Sequence, residues 1–138
     1  MARIKKVNHI GVAVKDGAKA ARFYADSLGI KVDHEEVVES QGVKVFFVPV
    51  GESTIELLEA TGPESPIAKY LEKNREGIHH ICFEVEGIDE MLKDLAAQGA
   101  VIGSGEPTQG AHGMRVGFLH PKATGGVLIE LAEKGHDA

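Results

Sequence analysis

Several common features are scarce in this chain, and each scarcity narrows what it does. Among 138 residues there is one cysteine, Cys82. That excludes an internal disulfide framework and suits a reducing compartment. There is no tryptophan, and aromatic residues make up only 5%, which disfavours a binding function built on aromatic stacking. Basic residues are outnumbered, 15 against 21 acidic, for a formal charge of −6. Without a basic excess to neutralise phosphates, a nucleic-acid partner is not expected. Apolar runs such as Val45-Phe46-Phe47-Val48 are far too short to span a membrane. Arg3, Lys5 and Lys6 precede no signal-type apolar stretch, so nothing marks the chain for export and a cytoplasmic location is expected. Gly/Ser-rich linkers and low-complexity tracts are absent too. What remains, 43% apolar and 26% charged residues, is the composition of an ordinary globule. The length argues for one compact domain.

Self-similarity organises that domain. Asn8-His9-Ile10-Gly11-Val12-Ala13-Val14 resembles His79-His80-Ile81-Cys82-Phe83-Glu84-Val85, with His80 in the place of His9. Thr54-Ile55-Glu56-Leu57-Leu58 resembles Leu128-Ile129-Glu130-Leu131, with Glu130 in the place of Glu56. The step from His9 to His80 nearly equals the step from Glu56 to Glu130, and each is close to half the chain. Two matches at nearly one offset indicate a duplicated module, with halves of about 1–74 and 75–138. Each half reads as strand, helix and three strands. In the first, residues 5–14 alternate as a strand, and Asp16 caps a helix to about Leu28, with Gly29 closing it. Val32–Val38, Val43–Val50 and Ser53–Glu59 are strands. In the second, Ile78–Val85 is a strand and Ile88–Gln98 a helix closed by Gly99. Strands follow near 100–102, 114–119 and 127–131. Ser65-Pro66 opens a short connecting helix to Asn74. The expected fold class is therefore α+β: two tandem βαβββ modules in a single domain, 1–138. The tail from Lys134 to Ala138 reads as frayed.

Alternation places Ile10, Val12 and Val14 on one face of the first strand and His9, Gly11 and Ala13 on the other. The bulky face suits packing under the helix. The small face, with one imidazole, suits the lining of a concave sheet. The repeat selects His80, not His79, as the partner of His9. Glu56 and Glu130 sit within Ile-Glu-Leu on otherwise apolar strands, where an unpaired carboxylate would cost several kcal/mol, so each is expected to be paired or metal-bound. Two histidines and two glutamates at repeat-related places form an N₂O₂ set for a borderline divalent ion, Co²⁺, Ni²⁺, Mn²⁺ or Zn²⁺, with positions open to substrate. His34, His112, His120 and His136 have no such counterpart and read as surface or loop residues. Cys82 reads as a small buried thiol, and Glu35, Glu36 and Glu39 as a solvated strand end.

A twofold βαβββ chain with His and Glu in each half resembles the vicinal oxygen chelate superfamily, which includes glyoxalase I, extradiol dioxygenases, bleomycin-binding proteins and methylmalonyl-CoA epimerases. The resemblance is closest to the epimerases. It rests on Val7–Val14, Ser65–Leu71, the double-histidine stretch Gly77–Val85, and the run from Gly110-Ala111-His112-Gly113 through His120-Pro121-Lys122 to Gly126–Leu131. It implies that His9, His80 and Glu130 are metal ligands and that Glu56 is the fourth, in some members water-mediated. It also implies Co²⁺ or a similar ion, an acyl-CoA substrate, a homodimer, and interconversion of (2R)- and (2S)-methylmalonyl-CoA. The carboxylate and thioester oxygens flanking C2 would chelate the ion, a Lewis acid that stabilises the enolate left when the C2 proton departs.

Epimerisation needs an acid/base group on either side of C2. Glu130 is the candidate for one, as the resemblance implies. Some epimerases carry the second on the strand after a Gly-Val dipeptide, where this chain has Val45. Glu56, Lys44 or a metal-bound water then stand as candidates. Lys122, beside Gly125 and Gly126, is the candidate contact for a phosphate or the substrate carboxylate. Two other readings stay open. One is a glyoxalase-I-type lyase acting on thiohemiacetals, against which the double-histidine stretch and the His-Pro-Lys loop stand. The other is a metal-free drug-binding module, which the retained ligand set and scarce aromatics disfavour.

Overall fold

The computed structural model describes residues 2–135. The chain forms two compact units: residues 9–79, and residues from 80 onward together with the first eight. The division falls inside the first and fifth strands, whereas the repeat alone suggests a boundary near 74. The first strand stands between the fourth and the fifth, and its pairing with the fourth runs from His9 to Ala13. Arg3, Lys5 and Asn8 all bind glutamates of the fifth strand, Glu86 and Glu84, so residues 3–8 fold with that strand.

The unit 9–79 carries the last part of β1 (Arg3–Ala13), then α1 (Gly17–Asp26), β2 (His34–Val38), β3 (Val43–Val50), β4 (Ser53–Ala60) and α2 (Pro66–Lys73). Its strand order is β2–β3–β4–β1, with β1 and β4 parallel and the other pairs antiparallel. The bulky face of β1 packs as its alternation requires. Val14 joins Ala21 of α1 and Phe46, Val48 and Leu57 in one buried cluster, with Val12, Ala20 and Tyr24 against it. Ala13, on the small face, joins Val43, Val45, Phe47 and Leu58 beneath Ile67 of α2. Both helices start as their sequences dictate. Asp16 accepts a hydrogen bond from the Lys19 amide at 3.1 Å, and Ser65 Oγ accepts one from the Ile67 amide at 3.1 Å with Pro66 at the first helical position. Gly17 has to be glycine because a Cβ there would stand 2.1 Å from the Phe46 ring.

The other unit adds β5 (Gly77–Glu86), α3 (Ile88–Ala97), β6 (Val101–Ile102), β7 (Thr108–Gln109), β8 (Arg115–Leu119), α4 (Pro121–Thr124) and β9 (Leu128–Glu133). Its strand order is β1–β5–β9–β8–β6, with β7 on β8 and with β5 and β9 parallel. Val85, Ile88, Leu92 and Leu131 form the core under α3, and Cys82, Val116 and Ala132 form a second cluster. β7 and α4 are too short to leave a periodic signal, and the sequence reading contains neither.

The repeat holds in the strand register. Gly11 is the cross-strand partner of Glu56, and Cys82 that of Glu130. On the far side Glu56 faces Phe47 and Glu130 faces Phe118. Each unit thus contains one row of small residue, glutamate and phenylalanine on one sheet face. Among the described residues no helix is long and apolar enough to cross a membrane.

Candidate functional site

Each unit brings one imidazole and one carboxylate together. In the unit 9–79, His9 Nδ1 lies 3.1 Å from Glu56 Oε2, with side-chain exposures of 8% and 13%. In the other unit, His80 Nε2 lies 3.1 Å from Glu130 Oε1, with exposures of 9% and 11%. Neither carboxylate is left alone in its strand, as burial demands. The separations also have a second meaning. Two ligand atoms bonded to one ion at about 2.0–2.2 Å sit roughly 3 Å apart when they are neighbours in its coordination shell. Each pair therefore presents one nitrogen and one oxygen donor at the spacing a divalent ion takes, and the donor types fit such an ion.

The surroundings of each pair follow from the strand rows. Phe47 stands beside Glu56 and Phe118 beside Glu130 on the neighbouring strands, which gives each carboxylate an apolar flank. Cys82 stands on the other side of Glu130 and is fully buried, with its Sγ within 4.8 Å of a Glu130 carboxylate oxygen. His79 lies on the opposite face of β5 from His80, and its ring meets Tyr70 edge-on at 4.8 Å. Its role is packing.

The remaining histidines and the basic candidates are placed as follows. His34 is on β2, exposed and stacked on Phe47 at 4.3 Å. His112 and His120 are exposed, and His120 Nδ1 accepts the Lys122 amide at 3.2 Å. His136 is outside the described residues. The Lys122 side chain is exposed on α4, while its backbone N–H is given to His120. Lys44 drops out as an acid/base candidate. It lies on the α1 face of its sheet, paired with Glu35 at 3.1 Å and 5.2 Å from the Phe46 ring centroid. Alternation along β3 points it away from the face that carries Glu56. Val45 is buried in the apolar cluster under α2.

Three features escaped the sequence reading. Glu84 is buried on the same face as His80 and accepts from Asn8 Nδ2 at 3.1 Å, with Lys5 Nζ 3.5 Å away. Burial opposes its ionisation, but the Asn8 amide and the lysines Lys134, Lys5 and Lys6 outweigh it and hold the carboxyl below the usual carboxylate range. Glu59 accepts the Gly17 amide at 2.7 Å, and Glu133 accepts the Gly87 and Ile88 amides at 3.0 Å each, so α1 and α3 are each capped from a strand of their own unit. Arg115 grips Asp89 through both guanidinium nitrogens at 2.8 and 2.6 Å. That contact holds the Asp89 carboxyl below its ordinary value and the guanidinium above its own. A signal for the caps does exist in the sequence, since Glu133 follows Glu59 at the same spacing that separates the two site glutamates.

Residues 8–118 match the family model of the "Glyoxalase/Bleomycin resistance protein/Dioxygenase superfamily". The Ethylmalonyl-CoA/methylmalonyl-CoA epimerase of Cereibacter sphaeroides is 47% identical over 134 residues, which cover 94% of this chain and 98% of that one. The mitochondrial methylmalonyl-CoA epimerase of Homo sapiens is 45% identical over 129 residues, covering 93% of this chain and 73% of that one. Among solved structures, a variant of the Streptomyces coelicolor methylmalonyl-CoA epimerase in complex with 2-nitronate-propionyl-CoA superposes with a TM-score of 0.90. It is 37% identical and covers 96% of each chain. The chain belongs to the glyoxalase/bleomycin resistance protein/dioxygenase superfamily and, within it, to the methylmalonyl-CoA epimerases, which are isomerases.

Proposed function

We propose that this chain interconverts (2R)- and (2S)-methylmalonyl-CoA in propionyl-CoA metabolism, using His9, Glu56, His80 and Glu130 to hold one divalent ion. The observation that carries this is the buried His–Glu pair found in both units, at matching positions, in a member of the epimerase family. Co²⁺ is the proposed ion, with Mn²⁺, Ni²⁺ or Zn²⁺ as other candidates on the same donor set. When bound, the ion supplies Lewis acidity to the carboxylate and thioester oxygens that flank C2.

The residues of the chain do the rest. Glu130 takes the C2 proton as general base, its carboxylate flanked by Phe118 and Cys82 so that water has little access on either side. His9 Nδ1 and His80 Nε2 would hold the ion beside the carboxylate oxygens of Glu56 and Glu130. Lys122, exposed on α4, is the proposed contact for a substrate anion. On the same reading the enzyme is a cytoplasmic homodimer.

Purified protein loaded with Co²⁺ and given either epimer of methylmalonyl-CoA is expected to bring both to one equilibrium mixture. Methylglyoxal with a thiol is expected to give no lactoyl thioester. Turnover of the thiohemiacetal without epimerisation would replace this reading with a glyoxalase-type lyase. Neither reaction in metal-free protein that tightly binds an aromatic drug would point to the sequestration module.

A further inference from the structure

We infer that Phe118 sets the size of the group the substrate carries at C2, so that the thioesters admitted are 2-alkylmalonyl thioesters with a short alkyl group. This rests on the proposed function, in which Glu130 takes the C2 proton. For that transfer a carboxylate oxygen of Glu130 has to come within about 2.6–3.2 Å of the carbon. C2 carries three other groups: a carboxylate, a thioester carbonyl and the alkyl substituent. Only the alkyl group gains from apolar surface. It therefore rests against an apolar side chain next to Glu130.

Strand register identifies that side chain, and every residue concerned lies in the unit that begins at His80. Glu130 of β9 has Cys82 of β5 as its partner on one side and Phe118 of β8 on the other, and Ile102 of β6 continues the row beyond Phe118. Residues of one row share a sheet face, with directly opposed Cβ atoms about 4.5–5.5 Å apart. The two sides of Glu130 differ. Toward β5, Cys82 is fully buried, and His80 holds its Nε2 3.1 Å from the Glu130 carboxylate. That side presents the polar pair. Along β9, Ala132 is buried and Leu128 is the partner of His80. Toward β8, Phe118 is half-buried, and Ile102 is 48% exposed. Phe118 is thus the apolar neighbour of the base that keeps accessible surface on the side away from His80.

The packing of the ring makes it a wall. Phe118 rests on the buried cluster of Cys82, Val116 and Ala132, and a close-packed cluster yields little. The ring cannot retreat from a longer substituent. Because Ile102 follows in the row, shortening Phe118 opens apolar space rather than a polar gap. A phenyl ring offers no hydrogen-bond donor or acceptor, so a polar substituent laid against it loses water contacts without replacement. The repeat-related Phe47 is set differently. It is buried, and His34 occupies the place of Ile102 in its row, stacked on the ring at 4.3 Å.

The test uses Co²⁺-loaded wild type, Phe118→Leu, Phe118→Ala and, as a control on the opposite sheet face, Leu119→Val. Each is given methylmalonyl-CoA and propylmalonyl-CoA, and kcat/KM for epimerisation of each thioester is measured by proton NMR. Metal content and Tm are measured alongside. The readout is the ratio of the two kcat/KM values, because a loss of fold or of metal lowers both and cancels. Wild type is expected to favour methylmalonyl-CoA by at least about tenfold, the lower bound for one methylene in an apolar pocket. Phe118→Leu and Phe118→Ala are expected to raise the propyl-to-methyl ratio by at least about tenfold, and Leu119→Val to leave it unchanged. If Phe118→Ala does not fold, Phe118→Leu decides. An unchanged ratio in a folded Phe118 variant would overturn the inference and leave the functional reading standing. Equal turnover of the two thioesters by wild type, or the same shift in Leu119→Val, would overturn it too. If wild type epimerises neither thioester, the functional reading falls and this inference falls with it.

Discussion

His9 and His80 meet their glutamates through different ring atoms, Nδ1 in one case and Nε2 in the other, at the same 3.1 Å. Duplication preserved the donor types and their spacing rather than the ring orientation. Replacing His80 with alanine removes one donor from a pair in a region whose strands are held by other contacts. His80→Ala is expected to fold with a Tm close to that of wild type and to lose stoichiometric metal, measured by elemental analysis. A folded His80→Ala protein with full metal would remove His80 from the set. Glu84 carries a different prediction. Against the effect of burial, its carboxyl is held below its unfolded value by Asn8 and nearby lysines, so its ionisation stabilises the fold at neutral pH. That contribution is lost as pH falls through the depressed value in the folded state. Glu84→Gln is expected to be less stable than wild type at neutral pH, by about 1–3 kcal/mol, and to converge with it in strong acid, as urea titrations at several pH values would show. The two His–Glu pairs were readable from the sequence because the repeat distinguishes His80 from His79 and flags glutamates in apolar strands. Glu84 was not, because its burial is stabilised by an asparagine and a lysine from the opposite half of the chain.

α1 and α3, the helices at repeat-related places, are each capped by a glutamate from a strand of their own unit, Glu59 of β4 for α1 and Glu133 of β9 for α3. Carboxylates at helix N-termini satisfy otherwise unpaired amides and meet the positive end of the helix dipole. Glu59→Ala and Glu133→Ala are each expected to lower stability by about 1–2 kcal/mol, as loss of a cap does, with metal content unchanged. Thermal melts with parallel metal analysis check this, and a cap variant that loses metal would contradict the separation of the two roles. At Gly17, alanine would drive a methyl into the Phe46 ring, and Gly17→Ala is expected to cost roughly 1–3 kcal/mol as overpacking does. The main helices and strands were predictable because apolar spacing and caps agree along the chain. Bounds moved by a few residues, as at α1, which ends at Asp26 rather than Leu28. β7 and α4 left no trace, being pieces of two and four residues.

The molecule as a whole is a duplication in which each unit holds one buried His–Glu pair. Sequence periodicity revealed the duplication, but it placed the boundary near the connector helix rather than inside β1 and β5. Periodicity reports which residues are alike. It does not report that β1 pairs with β4 from His9 onward, nor that Arg3, Lys5 and Asn8 bind Glu86 and Glu84 of β5, so that residues 3–8 belong with the unit that begins at His80. The core tolerates little loss in either unit. Leu57 and Leu131 occupy repeat-related buried positions, and alanine at either is expected to cost about 2–5 kcal/mol in chemical denaturation. The decisive measurement is proton NMR of (2R)-methylmalonyl-CoA in D₂O with the protein as purified, after EDTA, and after Co²⁺ is restored. The account predicts rapid C2 deuteration and formation of the other epimer, abolished by EDTA and recovered with Co²⁺. Epimerisation that continues undiminished in protein shown to be metal-free would contradict it.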